Sequence, residues 1–270
     1  MAYFMIKEGL ELRREAKRFG IHVMPYYDVL YMLLSILIVG AIKETAIYFI
    51  HPLVNEKIEE LYPKEVWPEK KRKSTYYTLG VFWYTISCAI GLWIFYGSDT
   101  VPRLFGGSGN NSATLGDFPE NTVIPYSKFY MILQTGSHGY ALFYHFYRKW
   151  NHPGFNELLL HHLVTIFILV HAYFTNGFAQ SVVTLMFHDW GDWMYNFTTF
   201  YRDLYMHKYP NMVYLHILGF PFLFVYMRVI AQPIWYLKIS LNWVLYNKEI
   251  YKHPQFYHFG HEIYYITSKL

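Results

Sequence analysis

Six long apolar stretches fill most of the 270-residue chain and constrain its fold more than any other feature. Tyrosine and tryptophan stand at their ends, as at the interface between a bilayer and water. Each stretch approaches the ~20 residues that a helix needs to cross a bilayer. The sequence therefore predicts an all-α fold, a polytopic membrane helical bundle of about six transmembrane helices. The predicted spans are 29–50, 78–96, 126–146, 158–174, 179–201 and 212–237.

The rest of the composition agrees with this fold class. With 54% hydrophobic and only 16% charged residues, the chain is too apolar for an ordinary soluble domain. A single cysteine, Cys88, excludes an intramolecular disulfide framework. The net charge of +4 is modest, so no nucleic acid partner is expected.

Four regions follow from the distribution of polar residues along the chain. The first, 1–25, is an amphipathic segment that either lies on an anionic membrane surface or caps the first span. The second, 26–75, holds the first span and a charged loop. The third, 76–237, is the membrane domain, and the last, 238–270, is a polar C-terminal tail.

Polar residues recur at three- and four-residue intervals through the fifth span, which places them on one face of a helix. His188 and Asp192 are one turn apart, so the carboxylate can accept a hydrogen bond from the imidazole and fix its tautomer. Asp189 lies off this stripe by about a quarter turn. The members of the stripe are Ser181, Thr184, His188, Asp192, Tyr195 and Thr199.

The fourth span carries two adjacent histidines, His161 and His162. They diverge by about 100° around the helix, so at most one points squarely at the polar stripe. Thr165 lies one turn from His161 and shares its face. Ionisable groups at membrane depth cost roughly 2.5–3.5 kcal/mol each and usually mark a function.

Two readings of these polar groups remain open. An imidazole beside a carboxylate in a dry cavity suits general acid–base or nucleophilic catalysis of acyl transfer. The alternative is a buried polar network that only fixes helix packing, at roughly 0.6–2 kcal/mol for each hydrogen bond.

Metal binding is a third alternative, since imidazoles can ligate iron or zinc. Membrane di-iron enzymes depend on repeated histidine boxes, and none occurs in this sequence. We therefore expect no metal and no cofactor. The histidines considered are His138, His145, His161, His162 and His188.

The order and spacing of these motifs resemble the TLC-domain family, specifically the Lag motif of its ceramide synthase branch. The matching residues are the basic pair Arg148-Lys149, then His161-His162-Leu163-Val164-Thr165, then His188-Asp189-Trp190-Gly191-Asp192. A phenylalanine-rich segment, 220–224, followed by Arg228 and Pro233, adds to the resemblance, which covers about 76–237.

The resemblance implies a helical bundle around a lipid cavity and an N-acyltransferase. Such an enzyme moves an acyl chain from acyl-CoA to a sphingoid base or another long-chain amine. His161 or His162 would be the nucleophile or base, and His188, Asp189 and Asp192 would orient and activate it. The expected substrate-binding residues are Thr165, Thr184, Tyr195, Arg148, Lys149 and Arg228. The three basic residues would meet CoA phosphates or a lipid headgroup, unless they are ordinary interfacial anchors.

Departures from the family pattern support a rival from another class. Tyr195-Asn196 and Thr199 stand where ceramide synthases carry Leu-Glu and a lysine. A catalytically retired protein that binds lipid, or a structural subunit of a larger membrane complex or a homodimer, would tolerate such changes. The expected partners are membrane lipids, with acyl-CoA as a substrate rather than a cofactor if the site is active. The expected location is the endoplasmic reticulum, or the mitochondrial inner membrane for a complex subunit.

The distribution of basic residues predicts the topology. Loops 51–75, 147–157 and 202–211 are rich in lysine and arginine, whereas loop 97–125 has only Arg103, so the first three should share the cytosolic or matrix face. Cysteine-accessibility labelling from each side, with the native cysteine first replaced, checks this. Labelling of 97–125 and 147–157 from the same side would contradict the span count.

Overall fold

The computed structural model describes residues 25, 27–98, 101, 103, 107–108, 126–148, 155–174, 178–206, 208–234 and 237. These residues form helices and no strand, which confirms the all-α prediction. One 3-10 turn, Lys64–Val66, joins the first two helices, and a π-helix, Val225–Ala231, continues the last. The α-helices are α1 Asp28–Leu61, α2 Trp67–Phe95, α3 Ser127–Arg148, α4 Phe155–Phe174, α5 Phe178–Tyr205 and α6 Pro210–Phe224.

Three helices in the described part of the chain are long and apolar enough to cross a membrane, namely Asp28–Leu61, Lys64–Phe95 and Phe155–Tyr173. Their outer faces are apolar. On α1, for example, Leu30 and Leu37 are 65% and 70% exposed. The helices α3 and α5 coincide with predicted spans but carry polar interior faces, which lower their mean hydropathy.

The helices pack as a central group of four with two further helices on its sides. Helix α5 lies along α2, α3 lies along α1, and α1 also contacts α2. Helix α4 packs mainly on α3 and α6 mainly on α5, while α4 and α5 share few contacts. This packing order determines which residues form the site, because it brings the histidines of α4 to α3 rather than directly to α5.

Small residues let α1 and α3 approach closely. A Cβ atom on Gly136 would lie 2.7 Å from the carbonyl carbon of Ser35, and one on Gly139 would meet the side chain of Ile36. The Ser35 hydroxyl lies 2.9 Å from the backbone carbonyl of Ile132, to which it donates. Close backbone approach through small residues is how helices associate in a membrane without a hydrophobic driving force.

The prediction of a charged loop over 51–75 is wrong, because most of these residues are helical. Helix α1 continues to Leu61 and α2 begins at Trp67, so both extend past their apolar spans. Alternating charges suit such solvated extensions through i,i+3 and i,i+4 pairs, each worth about 0.2–0.5 kcal/mol. The ion pairs are Lys57–Glu60 at 2.6 Å, Lys73–Glu69 at 2.5 Å, and Lys71–Glu59 between the two helices.

A buried carboxylate ties the helices together at each end of the bundle. At one end Asp203 of α5 accepts from Lys70 at 3.2 Å and from Ser74 at 3.4 Å. At the other end Asp28 accepts from Lys128 at 2.7 Å and from Tyr173 at 2.6 Å. The α1–α2 and α5–α6 connections therefore share one end, as the charge distribution predicts. The amphipathic segment 1–25 lies almost wholly outside the described residues, and the polar tail 238–270 lies wholly outside them.

Gly136→Ala should destabilise the bundle, whereas Gly219→Ala, the same change in α6, should not. The first Cβ would press on backbone in the α1–α3 contact, at a cost of about 1–3 kcal/mol. No described atom lies within 4 Å of a Cβ at Gly219, where the higher helix propensity of alanine is the only effect. Thermal unfolding of both variants in detergent measures the difference, and equal melting temperatures would contradict the packing.

Candidate functional site

Asp189 is the centre of a buried network that joins three helices. Its side chain on α5 is 3% exposed and accepts a hydrogen bond from Ser87 of α2 at 2.5 Å. On α3, Tyr130 donates to it at 3.1 Å, and Gln134 donates to both Asp189 and Ser87. The sequence placed Asp189 a quarter turn off the polar stripe. It nevertheless makes more hydrogen bonds than its neighbours, because α2 and α3 both pack on the side of α5 that it faces.

Asp192 has a different partner, Arg228 from the π-helical segment. The guanidinium donates to the carboxylate and, at 3.3 Å, to the backbone carbonyl of His188. It also lies 4.7 Å from the ring centre of Phe224. Gly191 leaves room for this arrangement, since a Cβ there would come within 3.2 Å of the arginine Nε. Arg228, predicted to contact the substrate, is therefore held inside the bundle by the motif itself.

This ion pair replaces the expected contact between His188 and Asp192. The described partners of the carboxylate are Arg228 and Tyr84, whereas the His188 side chain hydrogen-bonds Gln232. A charge-assisted hydrogen bond from a guanidinium is roughly twice as strong as a neutral one, so the Asp192 carboxylate bonds Arg228 rather than His188. Helical spacing alone could not reveal this competition.

Four histidines gather where α3 meets α4. The ring centres of His161 and His162 are 5.3 Å apart, and His138 lies 6.4 Å from the first and 5.9 Å from the second. His145 is 5.9 Å from His162 and is itself buried. We call His138, His145, His161 and His162 the histidine cluster.

Two members of the histidine cluster were considered in the sequence only as metal ligands. His138 and His145 are seven residues apart, so they share one face of α3 two turns from each other. This seven-residue spacing is the sequence signal that links the two histidines. Their proximity to His161 and His162 follows only from the packing of α4 on that face of α3. Among the described residues, no group of three histidine, cysteine or acidic side chains is arranged to hold a metal ion.

One member of the histidine pair also interacts with the motif on α5. His161 is exposed and interacts electrostatically with both His188 and Asp192. The described contacts of His161 include no hydrogen bond to either residue, and the catalytic arrangement stays a prediction.

The remaining predicted site residues make local contacts or lie outside the described residues. Thr165 donates to the backbone carbonyl of His161 at 2.7 Å. Tyr195 is 43% exposed, and its hydroxyl lies 3.5 Å from that of Tyr77. Thr184 is half-buried on α5. Arg148 ends α3, but its side chain lies outside the described residues, as does all of Lys149.

Lys43 belongs to the same interior and was not among the predicted site residues. It lies in the first apolar span and matches no motif, so only its charge at that depth could have marked it. Its Nζ donates to Ser137 at 2.9 Å and lies 4.4 Å from the ring centre of Trp83 and 5.4 Å from that of Tyr140. The side chain is 9% exposed.

A protein-family model described as the TLC domain matches residues 78–266, which is more than half of the chain. The match begins inside α2, so it includes the histidine cluster and both aspartates but leaves out all of α1 and Lys43. No curated protein and no solved structure gave a match.

Asp189→Ala should lower the stability of the bundle more than Asp192→Ala does. The first change leaves three buried donors without their acceptor, at about 1–3 kcal/mol each. The second removes a side chain that is 35% exposed, although it leaves Arg228 uncompensated. Thermal unfolding in detergent compares the two variants, and a larger loss for Asp192→Ala would contradict the ranking.

Proposed function

The chain belongs to the TLC domain family, and from its site we propose that this integral membrane protein is an acyltransferase. The substrate would be acyl-CoA, and the acceptor the amine of a sphingoid base or another long-chain lipid. The observation that carries the proposal is the histidine cluster at the contact of α3 and α4, in a bundle whose outer faces are apolar. Four imidazoles lie within 5.3–6.4 Å of a neighbour, and two of them belong to a helix apolar enough to cross a membrane, where such groups are costly and usually mark a function.

The position of His161 suits a reaction on a lipid. Helix α4 packs on α3 and shares few contacts with α5, so the exposed imidazole of His161 lies where an acyl chain can approach from the bilayer. His138 and His162 flank it on the inner side. A neutral imidazole can accept a proton and then donate it, so neighbouring imidazoles can serve as a proton relay.

The reaction proposed is the exchange of a thioester for an amide. His161 or His162 attacks the thioester carbonyl or takes a proton from the acceptor amine. The carbon–sulfur bond breaks, the carbon–nitrogen bond forms, and the proton lost by the amine passes to the thiolate of CoA. Atoms and charges balance without an oxidant, a metal or another cofactor.

The two aspartates act as positioning residues in this proposal. Asp192 holds Arg228, which binds the His188 carbonyl, so the ion pair fixes α5 and the π-helix beside His161. Asp189 fixes α5 against α2 and α3. A substrate-binding role for Thr184 and Tyr195, and a CoA-phosphate role for Arg148 and Lys149, belong to the same proposal.

A specific observation favours the second candidate, a retired TLC-domain protein that binds lipid or serves as a subunit of a membrane complex. Neither aspartate has a histidine side chain among its described hydrogen-bond partners, because Asp189 is occupied by Ser87, Tyr130 and Gln134 and Asp192 by Arg228. A catalytic imidazole normally has such an orienting acceptor. In the first candidate we propose residence in the endoplasmic reticulum, and in the second the mitochondrial inner membrane.

If the protein is an enzyme, His161→Ala and His162→Ala should each lower acyl transfer by about 100-fold or more and leave abundance nearly unchanged. General acid–base groups contribute about 10²–10⁴-fold to rate. His188→Ala and Asp192→Asn should also abolish transfer, through loss of position. Transfer of a radiolabelled acyl chain from acyl-CoA to sphinganine by the purified protein measures the effect.

His171→Ala is the matched control for this series. His171 lies on the same helix and is exposed, and its ring stacks on Phe167 rather than on the histidine cluster. It should retain transfer. A wild-type protein that transfers nothing, together with variants that lose abundance or leave a complex, would instead support the retired fold.

A further inference from the structure

Lys43 is a basic side chain in the interior of the bundle, and no described carboxylate lies beside it. Among the described residues no carboxylate lies within 4 Å of its Nζ, which binds the Ser137 hydroxyl and two aromatic faces instead. The next residue, Glu44, accepts from the Tyr140 hydroxyl at 2.6 Å. A buried charge is normally paired, so a lysine that contacts neutral groups gains its charge most readily when an anionic ligand lies beside it.

The geometry leaves part of that capacity unused. An ammonium group carries three N–H donors, and one of them is directed to Ser137. The rings of Trp83 and Tyr140 offer their π faces, which attract the charge without accepting a conventional hydrogen bond. Asp189 and His138 interact with Lys43 electrostatically, but neither bonds it in the described contacts.

Lys43 is next to the histidine cluster. Its hydrogen-bond partner Ser137 directly precedes His138 on α3, and His138 lies within 6.4 Å of both members of the histidine pair. The lysine is fifteen residues after Asp28, or about 22 Å along α1 at 1.5 Å per residue. Counted from Asp28 as the start of the span, this position falls within a hydrocarbon core of about 30 Å.

We propose that Lys43 binds the head oxygen of the acyl group, the carbonyl of a thioester or the carboxylate of a fatty acid. At this depth those oxygens are the polar atoms that an acyl chain carries. The inference deepens the proposed function, on which it rests for its catalytic part. During transfer the carbonyl oxygen gains negative charge, and a preorganised ammonium in a dry site stabilises it.

The test compares binding of palmitate and hexadecanol to the full-length protein in nanodiscs. The two ligands share a chain and differ in the head oxygen. Wild type should prefer palmitate by about tenfold or more, as a hydrogen bond to a charged group allows. Lys43→Met should bind both ligands alike. Lys70→Met, which removes a lysine at the Asp203 end of the bundle, should keep the preference.

Acyl transfer in the same preparations separates this inference from the proposed function. Lysine-dependent preference without any transfer would support Lys43 as an acyl subsite and overturn the enzyme. Transfer with an unchanged palmitate preference in Lys43→Met would support the enzyme and overturn the subsite. If Lys43→Met does not fold, Lys43→Gln serves instead, since it retains an N–H donor for Ser137. A palmitate preference equal to wild type in that variant would overturn the subsite.

Discussion

The structure depends on one constraint, which is that a polar group at membrane depth must find its partner inside the bundle. Leu30 and Leu37 of α1 are more than half exposed, while Gln134, Asp189 and Lys43 are buried. The outer faces are therefore apolar, and the interior combines these polar groups with buried hydrophobic side chains. Because lipid competes equally for apolar surface, the internal hydrogen bonds and the close contacts through small residues decide which helices touch. The Asp189 network alone joins α2, α3 and α5.

The same constraint divides the functional residues into two groups. Satisfying Asp189 and Asp192 requires Ser87, Tyr130, Gln134 and Arg228, and these partners fix α5 between its neighbours. The histidines of α4 then pack against α3, next to the two other members of the histidine cluster. The motif residues therefore form two groups in the structure. The two aspartates hold the helices together, whereas the histidine cluster lies between α3 and α4 and is available for catalysis.

Local pattern was sufficient for the helices and insufficient for their partners. Apolar length located each helix, although α1 and α2 extend well past their predicted spans, and the 179–201 prediction became Phe178–Tyr205. Charge was misread at 51–75, because a run of lysine and glutamate resembles a loop when only hydropathy is considered, although it also forms good helix. The importance of Asp189 and Lys43 could not be seen, since it depends on which helix lies opposite, and that is set by residues a hundred positions away.

Helix α1 shows why this matters for function. It lies before the family match, yet it is clamped at both ends, through Asp28 to Lys128 and Tyr173, and through Tyr62, whose hydroxyl binds the Asp203 carbonyl. Between these clamps the contacts of Ser35 and Gly40 hold it against α3. The register of α1 on α3 is therefore fixed, and with it the position of the Lys43 ammonium relative to His138. A helix outside the matched domain thereby places a lysine beside the domain's histidines.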